Sequence, residues 1–169
     1  MPEPQKFGCL LAALNIFKNL GGDSGQESPT VQLPYRGKDC LLSKAERSFF
    51  GVLEQAVDGK FRIFAKIRLA DLLWIPGGTE KRQAHLNRIQ SKHIDFVLCS
   101  CDFVRPLLAI ELDDATHRRA RRQDRDDFVE QALGAAGLPL LRVPARRTYH
   151  VGELQEAITG LVVPGKAAS

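Results

Sequence analysis

The stretch PLLAIELDDATH, residues 106–117, contains a strand that ends in acidic residues. The two-residue period of a strand places Glu111 and Asp113 on one face. The opposite face is apolar and consists of Leu108, Ile110 and Leu112. Two like charges side by side repel each other and lose hydration, so a purely structural strand avoids them unless a cation or an arginine compensates. The pattern therefore indicates that Glu111 and Asp113 hold a positively charged group.

Length and composition predict one globular, cytoplasmic domain with room for an appendage. The chain has 169 residues, of which 44% are hydrophobic, and it carries a net charge of +4. Four cysteines without a secretory signal predict reduced thiols rather than a disulfide framework. Nine of the fifteen arginines lie between Arg105 and Arg147, and arginine suits phosphate recognition. The alternative for each arginine is a solvated helix face interleaved with aspartates.

The first forty residues differ in character from the rest. The apolar run at residues 7–17 is too short to cross a bilayer, so packing on its own domain is favoured over a membrane-surface role. Residues 21–38 are rich in glycine, serine and proline and indicate a linker. We therefore expect an N-terminal segment and linker at 1–39, a folded domain at 40–163 and a tail at 164–169.

Periodicity predicts an α/β domain with the order helix, three strands, helix, strand, helix. A capping box starting at Ser43 and apolar residues at helical spacing predict the first helix at 43–57. A polar turn at 100–105 is short enough to make its two flanking strands an antiparallel hairpin. The other predicted elements are a strand at 61–69, a short polar helix at 80–89, strands at 94–99 and 106–113, a helix at 121–136, a strand at 138–143 and a closing helix from Val151 to Val162.

Two more acids have alternative interpretations. Asp95 lies within an apolar strand, where an unpaired carboxylate is costly, so we expect an ion pair with Lys92, Lys66 or an arginine, or a place in a functional site. Glu46, the third residue of the first helix, either caps that helix or contributes an inward carboxylate to a metal site.

These residues resemble the restriction-endonuclease-like superfamily, whose motif is written PD-(D/E)xK. Asp95 matches the aspartate of the second core strand, Glu111 matches the second acid, and Glu46 matches a glutamate that often lies on the leading helix. The similarity is closer to the branch with the very-short-patch repair endonucleases and the bacterial domain of unknown function 2726. That similarity rests on SKHIDFV at 91–97, IELDD at 110–114 with His117, RD at 125–126 and GLPLLR at 137–142.

The resemblance implies a mixed four-stranded sheet flanked by helices and a divalent-metal-dependent DNA nuclease, in repair or defence. It implies Mg²⁺ or Mn²⁺ held by Asp95, Glu111 and Asp113, and no small-molecule cofactor. His117 would be the general base, and Glu46 would complete the catalytic set. The residues expected to contact DNA are Lys92, Arg118, Arg121, Arg122, Arg125 and Arg142.

One departure from the motif affects activity. The motif lysine, two residues after the glutamate, is Asp113 here. His117 is the leading replacement, and Lys92, His93 and Lys66 are weaker ones. Arg142 could clamp phosphate or, equally, form a salt bridge to Glu111 or Asp113. The alternative function is a catalytically inactive module that binds nucleic acid or another protein.

Overall fold

The structure is a computed structural model that describes residues 33–113 and 120–162, with side chains omitted for residues 120–127. The chain divides into two units, residues 1–38 and residues 39–169. Residues 33–38 of the first unit are exposed and have no helix or strand. The apolar run at 7–17, most of the predicted linker, His117 and the tail lie outside the described residues. Within the described ranges, no helix has the length and apolar character needed to cross a membrane.

The second unit contains five helices and four strands among its described residues. They are α1 (Lys44–Val57), β1 (Arg62–Arg68), α2 (Leu69–Leu72), α3 (Arg82–Gln90), β2 (His93–Cys99), β3 (Pro106–Asp113), α4 (Ala120–Ala135), β4 (Leu140–Pro144) and α5 (Val151–Leu161). The predicted order of the major elements is confirmed. The apolar segment after β1 forms α2, a single helical turn that the predicted order does not include.

Local sequence signals explain both ends of α1. The Ser43 side chain accepts a hydrogen bond from the Glu46 N–H, and the Glu46 side chain accepts one from the Ser43 N–H, which completes the capping box. The helix ends at Asp58, which adopts the left-handed conformation with φ of 46° and is followed by Gly59 at φ of 70°. Phe49 and Leu53 on its buried face are fully shielded from solvent.

The four strands form one mixed sheet in the order β1-β2-β3-β4. β2 is antiparallel to both β1 and β3, which confirms the predicted hairpin. β4 is parallel to β3, and α4 makes the crossover that a parallel connection requires. Helices α1 and α5 pack together and contribute to the core that includes Phe96 and Leu98. Helix α4 contributes Val129 and Leu133 to a second core, with Val97 and Ala109.

Both faces of β2 and β3 therefore pack against helices, whereas Arg62, Phe64 and Arg68 of β1 are exposed. A correction concerns the alternation along β1. Ile63 and Ala65 pack against the first core, whereas Ile67 packs against the second, although strict alternation would put all three on one face. The break comes at Lys66, whose φ of 58° lies in the left-handed region.

Candidate active site

A row of four charged residues crosses the sheet, one from each strand: Lys66, Asp95, Glu111 and Arg142. Glu111 pairs directly with Arg142 in the ladder of β3 and β4. The register of β2 and β3 places Asp95 opposite Glu111, one residue beyond the last pair, and the register of β1 and β2 places Lys66 opposite Asp95. Because directly opposed residues share a face, the row presents two adjacent carboxylates with a cation at each end.

The Lys66 ammonium joins the sheet to the first helix. Its Nζ lies 2.5 Å from Glu46 Oε1 and 2.8 Å from Asp95 Oδ1. All three side chains are largely shielded, with exposed fractions of 30% for Lys66, 16% for Glu46 and 22% for Asp95. A lysine at positive φ inside a strand is an uncommon backbone conformation, and such conformations cluster at functional sites.

Glu46 caps α1, which is the first of its two predicted roles, and its second oxygen binds Lys66. Oε2 accepts the Ser43 N–H at 2.8 Å and caps α1, while Oε1 accepts from Lys66. Helix capping and the Lys66 contact together fix this carboxylate on the side of the row nearest β1. Glu46 therefore orients Lys66 toward Asp95.

Asp95 has the partner that its location in an apolar strand required. Oδ1 accepts from Lys66, one of the three cationic partners considered, and Oδ2 accepts the Leu112 backbone N–H at 3.1 Å. The second bond reaches the neighbouring strand, between Glu111 and Asp113 in sequence. Both oxygens of Asp95 are thus oriented by the sheet itself, beside the two acids of β3.

The contacts of Lys66 favour the charged forms of the residues around it. Burial opposes ionisation of Glu46 and is the largest single influence, but hydrogen bonds from Lys66 and from the Ser43 N–H outweigh it, so the pKa of Glu46 is lowered. Burial likewise opposes the charge on Lys66, yet the hydrogen bonds to Asp95 and Glu46 raise its pKa. Lys66 is therefore an ammonium at neutral pH and cannot serve as a base.

The Arg142 guanidinium contacts three carboxylates at the other end of the row. Nη1 lies 3.1 Å from Asp113 Oδ1 and 3.4 Å from Glu111 Oε2, and Nε lies 3.7 Å from Glu130 Oε2 on α4. The salt-bridge alternative for Arg142 is thus the arrangement that the structure contains. Glu130 was not predicted as a partner of Arg142, because helical spacing alone does not show which acid of α4 reaches β4.

Apart from Arg142, the residues predicted to contact DNA include one whose side chain the structure describes, Lys92. Lys92 donates to the Arg88 carbonyl at 2.7 Å and lies 5.0 Å from the centre of the Phe128 ring, next to Arg88 at 4.0 Å from the same ring. His117 and Arg118 lie outside the described residues. The same holds for the side chains of three α4 arginines, Arg121, Arg122 and Arg125. Their roles stay predictions.

The row offers the donor chemistry of a magnesium site. Magnesium takes oxygen ligands and commonly uses one or two carboxylates together with water and substrate phosphate. Asp95 and Glu111 supply two carboxylates from opposed positions on adjacent strands, where Cβ atoms are ordinarily about 5 Å apart. In the part of the chain that the structure describes, no three residues among His, Cys, Asp and Glu converge as a ready metal site. The carboxylate oxygens of Asp95 and Glu111 are of the kind that magnesium binds. In the structure, Asp95 binds Lys66 and Glu111 binds Arg142.

Comparison with known proteins gives one result. Residues 38–161 match a family model described as a protein of unknown function, DUF2726. The match confirms the resemblance to that domain, and its description states no activity. No curated protein and no solved structure matches the chain significantly.

Proposed function

We propose, from the premise that this chain belongs to the DUF2726 family, that it is a divalent-metal-dependent nuclease hydrolysing phosphodiester bonds in DNA. The observation that carries the proposal is the pair Asp95 and Glu111, opposed on adjacent strands with Lys66 bound to the first of them. Two opposed carboxylates need a nearby positive charge, which Lys66 and Arg142 supply in the structure and a metal ion would supply in the nuclease.

The fold supports the proposal at a coarser level. A mixed four-stranded sheet with the order helix, three strands, helix, strand, helix is the architecture that the resemblance to the restriction-endonuclease-like superfamily implies. Asp95 and Glu111 fall on the second and third strands, as in the very-short-patch repair branch. Fold alone does not decide function, so the argument depends on the row of charges.

Each residue of the row has a defined task in this proposal. Asp95 and Glu111 hold Mg²⁺ or Mn²⁺, with Asp113 as a further oxygen donor. When bound, the metal supplies Lewis acidity toward the phosphate and a coordinated water of lowered pKa. Lys66 stabilises the negative charge that develops on the phosphate, and Glu46 keeps the ammonium in place.

In this proposal, Lys66 and His117 share the task of the missing motif lysine. A lysine with a raised pKa provides positive charge but does not accept a proton near neutral pH. His117 is the proposed general base, because an imidazole is the side chain that ordinarily exchanges a proton near neutral pH. The sequence ranks Lys66 below His117 as a replacement, and the observed contacts favour Lys66 for the electrostatic part of the task.

One observation favours the alternative of a catalytically inactive nucleic-acid-binding module. Arg142 contacts Glu111 and Asp113 and neutralises the acids that a metal would need. In the nuclease, Glu111 and Asp113 would hold the metal in place of the guanidinium, and the metal would supply Lewis acidity there. In the inactive module, Arg142 stays in place permanently.

Cleavage of DNA tests the proposal. We expect the purified protein to cut plasmid or single-stranded DNA with Mn²⁺ or Mg²⁺, and Glu111→Ala to abolish cutting. Glu130→Ala is the matched control, because Glu130 contacts the same arginine but lies outside the row. Cutting that persists in Glu111→Ala, or that disappears equally in Glu130→Ala, would contradict the assignment.

A further inference from the structure

The side chain of Trp74 is exposed, although the residues on either side of it pack against the second core. Trp74 is the sole tryptophan of the chain, and 80% of its surface is exposed. Leu73 and Ile75, on either side of it, pack against the second core, and the Leu73 N–H donates to the Leu69 carbonyl at 3.0 Å. The backbone of the tryptophan is thus fixed by packing while its indole faces water.

The surface beside Trp74 is open. Pro76 begins a turn in which the Thr79 hydroxyl donates to the Pro76 carbonyl at 2.8 Å. A Cβ added at Gly77 or Gly78 would meet nothing within 4 Å. A ligand can therefore approach the backbone closely next to the indole ring.

The sequence around Trp74 is strongly basic. Residues 60–92 contain eight lysines and arginines against two acidic residues, a net charge of +6, whereas the whole chain carries +4. Lys66 and Arg68 of this segment are used in ion pairs. Lys81, Arg82 and Arg88 are exposed and make no ion pair with a carboxylate of the described residues. These three cations lie on or next to α3, which packs against α2 just before Trp74.

We propose that Trp74, with Lys81, Arg82 and Arg88, forms a binding surface for single-stranded nucleic acid, in which the indole stacks on an unpaired base. Aromatic stacking combined with a basic surface is the chemistry that single strands use, because every base has a π-face and every linkage carries a negative charge. A protein partner would not require this excess of positive charge. Duplex DNA keeps its bases stacked on each other and offers the indole no face except at an end.

The Trp74 surface lies in sequence next to the row of charges. Lys66, the member of the row on β1, lies near the carboxyl-terminal end of that strand. Helix α2 and then Trp74 follow directly in the chain. This inference deepens the proposed function and rests on it for the view that the ligand is a nuclease substrate. It names that substrate as DNA with an unpaired segment, such as a single strand or a displaced end.

The test uses the full chain in EDTA, so that binding is measured without cutting. A thymidine 20-mer is titrated while the emission of the sole tryptophan is recorded, and fluorescence anisotropy of the labelled 20-mer gives the affinity. We expect the indole emission to change on saturation. Trp74→Ala should weaken binding about 5- to 150-fold, the loss of one stacked base, whereas Trp74→Phe should retain most of the affinity.

Two matched variants separate stacking from charge. Phe103→Ala removes a side chain that is 81% exposed on the β2–β3 turn and should leave the affinity for the 20-mer unchanged. Replacing Lys81 and Arg82 together by serine should reduce the dependence of log affinity on log salt by about 1.4, the value for two phosphate contacts on a single strand.

The outcomes distinguish this inference from the nuclease proposal. Unchanged tryptophan emission at saturation, or equal affinities of wild type and Trp74→Ala for the 20-mer, would overturn the stacking surface. If Trp74→Ala still cut a duplex plasmid in that case, the nuclease would stand and only its substrate class would be wrong. Weakened single-strand binding with no cutting by the wild type would support the surface and contradict the nuclease.

Discussion

Lys66 and Asp95 face each other across the β1–β2 ladder, with Nζ and Oδ1 2.8 Å apart, at the one described position where β1 adopts a positive φ. The left-handed backbone of Lys66 and the half-buried carboxylate of Asp95 are each unfavourable alone. Together they form an ion pair that Glu46 completes from the first helix. The energetic consequences of this arrangement can be measured separately from any activity.

Lys66→Met removes the cation and leaves two shielded carboxylates unpaired. We expect the free energy of unfolding to fall by about 2 kcal/mol, less than for a fully buried pair because water still reaches all three side chains. Arg68→Met, on the same strand as Lys66, breaks an exposed ion pair with Asp71 of α2 and should leave stability unchanged. Urea denaturation of both variants checks this, and equal losses would show that Lys66 has no special role.

Glu46→Gln tests the charge on Glu46 without removing the cap, since glutamine also accepts at this helix position. The lowered pKa of Glu46 means that its carboxylate stabilises the fold above its ordinary value of 4.5, and that this stability is lost as the pH falls through the lower folded-state pKa. Wild type should therefore exceed Glu46→Gln in stability at neutral pH, and the gap should close in acid. A gap that stays constant below pH 4.5 would contradict this contribution of Glu46.

The stability that Lys66 contributes should depend on pH in the opposite direction, with a loss at alkaline pH. Its raised pKa gives stability that is complete below the ordinary value of 10.5 and is lost as the pH rises through the folded-state pKa. The stability difference between wild type and Lys66→Met should thus be flat near neutrality and decrease above pH 10.5. Circular dichroism melts across the alkaline range provide the measurement.

Arg142→Gln tests whether an internal cation occupies the proposed metal position. Removing the guanidinium leaves Glu111 and Asp113 without their compensating charge and should cost about 1 to 2 kcal/mol. Mn²⁺ should then raise the melting temperature of the variant more than that of wild type, because the metal no longer competes with Arg142. Arg147→Gln, an exposed arginine on the following loop, is the control. An identical response to Mn²⁺ in both variants would argue against a metal at Glu111.

Phe96→Ala tests the central packing of the sheet against α1. Phe96 is fully buried, and its ring centre lies 5.6 Å from that of Phe49 and 6.0 Å from that of Phe50. Truncation should cost about 3 to 5 kcal/mol through lost burial and the cavity that remains. Phe103→Ala should have no such effect, and thermal denaturation distinguishes the two.

The sequence predicts most of the fold because its signals are local. The capping box at Ser43, the short turn at 100–105 and the alternation in β3 each depend on neighbouring residues, and all three predictions are confirmed. The helix α2 was missed as an element because its four residues, three of them apolar, are too few to show a helical period. The change of core between Ala65 and Ile67 was missed because it occurs at the positive φ of Lys66, which no hydrophobic pattern predicts.

The site shows the same limit. Asp95 and Glu111 could be selected from their cost inside a strand, but their opposition depends on strand register, which periodicity does not fix. Lys66 could be named as a partner of Asp95, and that contact is confirmed, but its contact with Glu46 was not predicted. No residue type at that position indicates the positive φ of its backbone.

The positive φ of Lys66 also affects how two molecules of this protein can associate. β1 is an outer strand of the sheet in the described residues, and an outer strand with free backbone groups can recruit a strand from a second molecule. The break at Lys66, an inward charge flanked by Arg62 and Arg68, interrupts the straight row of donors and acceptors that such recruitment needs. We therefore expect Lys66, which pairs with Asp95, also to disfavour edge-to-edge pairing of two sheets.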